Sequence, residues 1–246
     1  MRTVLVTGGA KRLGAAIARR LATAGYRVII HYGASRDEAA ALAAELGGTT
    51  VQGDLSDTAA LADLFERARG GRAIGGLVNS ASAFEHDAAD AIDPALAARL
   101  YAINCTAPAM LACLLAAQEE LSEGAVVNLL DQKLANPNPD FFSYTCAKYA
   151  LAGATTMLAQ ALAPRIRVNA VSPGLTLPSG DQSEGEFARV ASANLLERPV
   201  GAEAVADGVA YLLGAGSVTG QTLFVDCGQR FLKRDSDVMF EGRPRG

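Results

Sequence analysis

The sequence predicts an α/β fold: a doubly wound, mostly parallel seven-stranded sheet with helices on both faces. Three observations predict it. Short β-branched runs recur along the 246 residues, Ala/Leu-rich segments of helical period separate them, and a glycine-rich turn joins the first run to the first helical segment. Strict alternation of strand and helix favours a parallel sheet, because each crossover helix returns the chain to the same end of it.

The runs are Thr3–Thr7, Arg27–His31, Thr49–Gln52, Gly76–Asn79, Ala125–Leu129, Arg167–Val171 and Thr222–Asp226. Each is continuous and apolar, the pattern of a strand covered on both faces. The helical segments are expected at Gly14–Ala24, Arg36–Leu46, Thr58–Ala68, Pro94–Leu121, Ser143–Ala163 and Ala202–Leu213. Right-handed crossovers put the first strand in the middle and any ligand crevice beyond the carboxyl ends of the strands. The chemistry is therefore expected in the loops after strands one, four, five and six. One long interruption, about 174–199, contains Leu177-Pro178-Ser179-Gly180-Asp181 and a short amphipathic stretch around Phe187, and is expected to be a substrate-binding loop. With no linker or repeat, residues 1–246 are expected to form one domain, ending in a charged tail over 229–246. Two fates stay open for that tail: reaching a neighbouring active site, or disorder.

Composition excludes several function classes. The net charge of −4 and pI near 5.3 give no broad basic face, so nucleic acid is not an expected partner. The apolar pattern begins at Thr3, which leaves no room for a secretory leader and points to the cytosol. The uncharged stretch Leu100–Gln118 carries Asn104, Thr106 and Pro108 and is expected to pack on other helices rather than span a membrane. Cys105, Cys113, Cys146 and Cys227 lack paired spacing, so no metal site and no disulfide is expected.

The first turn reads Thr7-Gly8-Gly9-Ala10-Lys11-Arg12-Leu13-Gly14. A glycine-rich turn between a strand and a helix N-terminus turns backbone N–H groups toward a pyrophosphate. It resembles the Thr-Gly-x-x-x-Gly-x-Gly turn of the short-chain dehydrogenase/reductase family, with Arg12 in place of the middle glycine, and so implies a Rossmann-type sheet binding a dinucleotide through Gly8, Leu13 and Gly14. After the second strand no acid occurs until Asp37. Since an acid there commonly holds a ribose 2′-hydroxyl, Arg12 with His31, Ser35 and Arg36 is expected to select the 2′-phosphate of NADPH. The alternative for Arg12 and Arg36 is a solvated charge at a helix start. Gly53-Asp54-Leu55 resembles the family's adenine contact, with an ordinary turn acid as the alternative for Asp54. Val78-Asn79-Ser80-Ala81-Ser82 resembles in part the family segment that lies against the adenosine ribose, through Asn79 and Ala81.

Tyr144 and Lys148 stand four residues apart, on one face of a helix, where an ammonium can stabilise phenolate. Together with Arg167-Val168-Asn169-Ala170-Val171-Ser172-Pro173-Gly174 they resemble the family's reaction centre. The resemblance implies that Lys148 also holds the nicotinamide ribose, that Pro173 and Gly174 flank the cofactor, and that Asn104 holds a water in a proton relay. The other reading of Asn104 is a polar group satisfied within the fold.

Asp131 occupies the place of the family's catalytic Ser, as in pteridine reductases, and a carboxyl group can protonate a ring nitrogen. Phe84 stands where those enzymes stack the substrate; its other reading is a loop aromatic packed on the core. Ser82 and Leu175 complete the expected substrate contacts, and Leu175-Thr176-Leu177-Pro178-Ser179-Gly180 is similar to that subgroup's substrate loop. The resemblance thus implies hydride transfer from NADPH to a dihydropterin C=N bond, with Asp131 and Tyr144 delivering the proton. Two rivals are a carbonyl reductase acting on a 3-oxoacyl thioester or a sugar, and a cofactor-sensing protein without turnover, and a version of the site with degraded catalysis is the other reading of Asp131. Apolar surfaces around Cys105–Ala116 and Ala147–Leu162 imply burial between subunits, and the resemblance to a family that commonly forms tetramers implies a homotetramer, with a dimer as fallback.

Overall fold

The computed structural model describes residues 2–178 and 184–237. Strands β1 (Thr3–Thr7), β2 (Arg27–Tyr32), β3 (Thr49–Gln52), β4 (Gly76–Asn79), β5 (Gly124–Leu129), β6 (Ile166–Pro173) and β7 (Thr222–Val225) form one sheet in the order β3-β2-β1-β4-β5-β6-β7. Every pairing between them is parallel. The order reverses at β1, so a crevice opens beyond the carboxyl ends of β1 and β4, the place where such sheets bind ligands.

The strand period of two divides the core. Val4, Val6, Val28 and Ile30 face helices α1 (Arg12–Thr23), α2 (Arg36–Leu46) and α8 (Ala202–Gly214). Leu5, Ile29, Leu77 and Val126 face the opposite layer, which holds α3 (Leu61–Arg69) and α5 (Ala107–Ala116). Both faces of the sheet are therefore covered, and this is why its strands read as unbroken apolar runs.

Two expected helices differ. A short 3₁₀ turn, Thr58–Ala60, precedes α3, and the segment expected as one helix from Pro94 to Leu121 is α4 (Pro94–Tyr101), a π-helical turn over Ala102–Thr106, and α5, ending at Ala116. Pro108 has no N–H to give the Asn104 carbonyl four residues earlier, which removes one rung of the ladder at that turn. By length and composition Pro94–Ala116 is apolar enough to cross a membrane, yet Leu111, Ala112 and Leu115 are buried in the core. The amphipathic stretch around Phe187 forms α7 (Glu184–Ala191). Ser179, Gly180 and Asp181 of the expected substrate loop, and the tail from 238 onward, lie outside the described residues.

Candidate active site

The turn after β1 comes close enough to its neighbours to require glycine. A Cβ on Gly8, whose φ is +61°, would lie 2.8 Å from the Ala81 Cα, and one on Gly14 would lie 2.2 Å from the Gly8 carbonyl oxygen. Arg12 keeps a left-handed φ of +53° without being glycine, a conformation costing roughly 1–2 kcal/mol for a residue with a Cβ. A cleft of about 730 Å³ opens beyond this turn, lined by Gly8, Gly33, Ala34, Asp54, Leu55 and Ala81. Asp54 Oδ1 accepts from the backbone N–H of Ser56 at 2.8 Å and from its hydroxyl at 2.7 Å, and these bonds hold its carboxyl below the usual range.

Five of the residues expected at the cofactor are placed by this geometry as follows. His31 is buried, its Nδ1 accepts from the Gly8 N–H at 3.2 Å, and its Nε2 lies 3.1 Å from the Gly53 carbonyl oxygen. Burial drives its pKa down to about 4, so at neutral pH it is an uncharged strut between the loops after β1 and β3, not a cation for a phosphate. Asn79 is equally buried and donates to the Pro108 carbonyl at 3.2 Å and to Asn128 at 2.8 Å, tying β4 to β5 rather than lining the cleft. Ser35 and Arg36 begin α2 outside the cleft lining, where Gly33 and Ala34 stand instead. Arg12 reaches the other way: its guanidinium donates to the Pro178 carbonyl at 2.6 Å, over the second cavity. Lys11, outside the cleft lining like Arg36, pairs with Glu38 in the first turn of α2 at 2.5 Å.

The second cavity, about 510 Å³, shares Ser82 with the first, and Leu13, Pro173, Gly174 and Leu175 contribute to its lining. At its floor the Tyr144 hydroxyl donates to Asp131 Oδ2 at 2.9 Å, while Asp131 Oδ1 accepts from the Lys133 N–H at 2.8 Å. Burial raises the carboxyl of Asp131 above its ordinary range, against the lowering effect of these bonds and of Lys148. Burial, with the charge of Asp131, raises the Tyr144 phenol well above 10. The Lys148 ammonium donates to the Leu129 carbonyl at 2.7 Å and lies 5.7 Å from the Tyr144 ring centre, and burial lowers its pKa to about 8. The floor is thus a largely buried set in which a carboxylic acid and a phenol can pass a proton, beside a lysine whose pKa lies at about 8.

An aromatic wall rises from this floor. Phe84 stacks on Phe141 with centroids 4.1 Å apart and meets Tyr144 edge-on at 4.7 Å, while remaining 40% exposed along the cavity. Sequence reasoning missed what anchors it. The helix α6 (Phe142–Ala161) that carries Tyr144 and Lys148 has no cap from its own chain start, where Phe141 is left-handed at φ +52°. Buried Asp87, three residues beyond Phe84, supplies one: its Oδ1 accepts from the Ser143 N–H at 2.9 Å and its Oδ2 from the Ser143 hydroxyl at 2.5 Å.

The Asn104 side-chain amide donates to the Ala83 carbonyl at 2.9 Å and its side-chain oxygen accepts from the Ser82 hydroxyl at 2.7 Å, so the side chain pins the Phe84 loop, while Pro108 leaves the Asn104 backbone carbonyl without its helical donor. Two further lining residues come from the tail whose fate the sequence left open. Gln229, after β7, accepts from the Leu175 N–H at 2.9 Å, and Asp237 lies 3.4 Å from the buried Lys133 ammonium.

Residues 8–230 match the family described as Enoyl-(Acyl carrier protein) reductase. Pteridine reductase 1 of Leishmania tarentolae is 34% identical, over 91% of this chain and 94% of its own. The chain belongs to the short-chain dehydrogenase/reductase family. It is thus an oxidoreductase. Within the family it is also similar to a dihydromonapterin reductase of Enterobacter sp. (strain 638), 28% identical over 93% of this chain and 96% of that one. Among solved structures, the FolM alternative dihydrofolate reductase 1 of Brucella canis complexed with NADP superposes with a TM-score of 0.90 at 42% identity, covering 95% of each chain.

Proposed function

We propose that this short-chain dehydrogenase/reductase uses NADPH to reduce a dihydropterin, of the dihydromonapterin, dihydrobiopterin or dihydrofolate type, to the tetrahydro form. The observation that carries this reading is the hydrogen bond between the Asp131 carboxyl and the Tyr144 hydroxyl in a cavity also lined by Phe84. A carboxyl raised toward its protonated form can donate to a ring nitrogen, and an aromatic face beside it suits a flat heterocycle.

The cofactor fits the cradle on two grounds: Gly8 and Gly14 leave room only for bare backbone, and no acid follows β2 before Asp37. Gly8, Leu13, Gly14, Asp54, Leu55, Ala81, Pro173 and Gly174 would hold it, with Lys11 as the cation toward its 2′-phosphate. Bound NADPH supplies the hydride. Asp131 gives a proton to the nitrogen of the C=N bond as the adjacent carbon is reduced, and Tyr144 stands ready to replace that proton. Lys148 would hold the cofactor ribose and limits the cost of charge on Tyr144. The names of the Leishmania, Enterobacter and Brucella relatives support pterin or folate reduction and NADP.

Exposed Tyr101, Tyr149 and Met157 on α4 and α6 support burial between subunits, a homotetramer or, failing that, a dimer. The four free cysteines support a cytosolic site. The decisive assay follows NADPH absorbance with dihydrobiopterin or dihydromonapterin, then with acetoacetyl thioester, then with neither. Oxidation with the thioester alone would replace the pterin reading, and cofactor binding without turnover would turn the protein into a sensor.

A further inference from the structure

The segment that follows β7 returns to the active-site cavity of its own chain. Asn136 donates to the Leu232 carbonyl, the Asp237 N–H donates to Asp140 Oδ2 at 2.7 Å, and the Lys133 ammonium donates to the Asp140 carbonyl at 2.6 Å and lies 3.4 Å from Asp237 Oδ2. The side chains of Lys133 and Asp237 are only 5% and 14% exposed, so this ion pair sits well inside the protein. Asp237 lines the same cavity as Asp131 and Tyr144 and falls beyond residues 8–230, the stretch matched by the family.

We propose that Asp237 is a positioning residue for the proton-delivering pair: the C-terminal segment brings its carboxylate to the cavity wall, where it helps keep a proton on Asp131 and Tyr144. The inference rests on the reading of that pair given above. The physical reason is charge. A fixed anion inside a poorly hydrated cavity disfavours a second anion nearby, so it opposes ionisation of both acids. After burial, which dominates, the charge of Asp237 acts in this direction on Asp131 and on Tyr144. The other groups that face Asp131 are Tyr144, Lys148 and the Lys133 backbone, with Arg12 and Arg234 elsewhere on the cavity lining. Lys148 opposes Asp237, and Lys133 binds Asp237 directly, so Lys133 sets how much of that negative charge the pair feels.

This arrangement makes two substitutions act in opposite directions, which damage to folding does not do. In Asp237→Asn the anion disappears while Lys133 stays, and the proton on Asp131 is held less tightly. The basic limb of the kcat/KM profile against pH should move down by about one unit, the scale of one charge acting at an effective dielectric of about 20. In Lys133→Met the stem is retained and the Lys133 cation lost, so more of the Asp237 charge reaches the pair and the same limb should move up. The double variant should lie between them. Profiles are measured with the full-length enzyme, saturating NADPH and dihydrobiopterin, alongside Tyr144→Phe and Asp131→Asn. Opposite shifts support the proposal. Coincident profiles, or shifts of the same sign, overturn it provided that Tyr144→Phe and Asp131→Asn are severely impaired. If those two variants retain full activity, the reading of the pair itself fails and the role of Asp237 falls with it.

Discussion

The Tyr144 hydroxyl and the Asp131 carboxyl, thirteen residues apart in sequence, share a hydrogen bond of 2.9 Å that joins the start of α6 to the loop after β5. Tyr144 is buried and Asp131 is partly buried on the cavity floor, and burial pushes both toward their protonated forms. The bond therefore links two acids whose protonated forms are favoured by burial, the direction that suits protonation of a substrate nitrogen.

Asp131→Asn keeps the shape and removes the acid. We expect kcat/KM for dihydropterin to fall by about 10²–10⁴-fold, the usual contribution of a general acid, and Asp131→Ser to fare no better. Retained pterin turnover in either variant would remove the proton-delivery role. Stability should move the other way. Because the folded state raises the Asp131 pKa above its unfolded value of 3.8, its stabilising effect is complete below that pH and is lost as pH rises through the folded pKa. Melting curves from pH 4 to 8 should thus show the Asn variant gaining on the parent as pH rises.

His31 predicts an acid limit for the cofactor cradle. Its pKa falls from 6.5 to about 4 on folding, so its stabilising effect is complete above pH 6.5 and is lost as pH falls through about 4. Protonated Nδ1 can no longer accept from the Gly8 N–H. NADPH affinity, read by fluorescence titration, should drop toward pH 4 in the parent. In His31→Gln that drop should be absent, from a weaker baseline; a parallel fall in both proteins would show that another group is responsible.

Cofactor choice and substrate binding should separate between two adjacent residues. Lys11→Ala should narrow the preference for NADPH over NADH, because Lys11 reaches the first turn of α2, where it pairs with Glu38. Arg12→Ala should leave that preference intact and raise the KM for pterin, because Arg12 bridges to Pro178 over the inner cavity. Dissociation constants for both coenzymes decide the matter. If Arg12→Ala is the variant that loses discrimination, its guanidinium leaves Pro178 when the cofactor binds.

Asp87→Ala should reach the active site without touching it. Removing a side-chain cap costs about 0.5–2 kcal/mol, and here the cap also ties the Phe84 loop to the first turn of α6. The expected signature is a lower melting temperature with a raised pterin KM, and recovery of much of both in Asp87→Asn, which keeps an acceptor for the Ser143 N–H. A variant that loses stability and keeps its KM would reduce Asp87 to a cap alone.

Local patterns determined the sheet. Apolar runs of strand length and helical spacings between them are read within a dozen residues, so β1, α2, β3 and β4 have the bounds expected from sequence. The four-residue spacing of Tyr144 and Lys148 was legible for the same reason, whereas the carboxyl at 131 stood out only through the resemblance to pteridine reductases. Arg12, His31, Asn79 and Asn104 were legible as polar groups near the crevice, but not in the direction that each points. Tertiary packing alone decided that His31 is a neutral strut, that Arg12 serves the inner cavity, and that Asp87 and Asp237 reach the site from 56 and 104 residues away from Ser143 and Lys133. Those contacts depend on how loops meet across the sheet ends, and no periodicity in the chain records such a meeting.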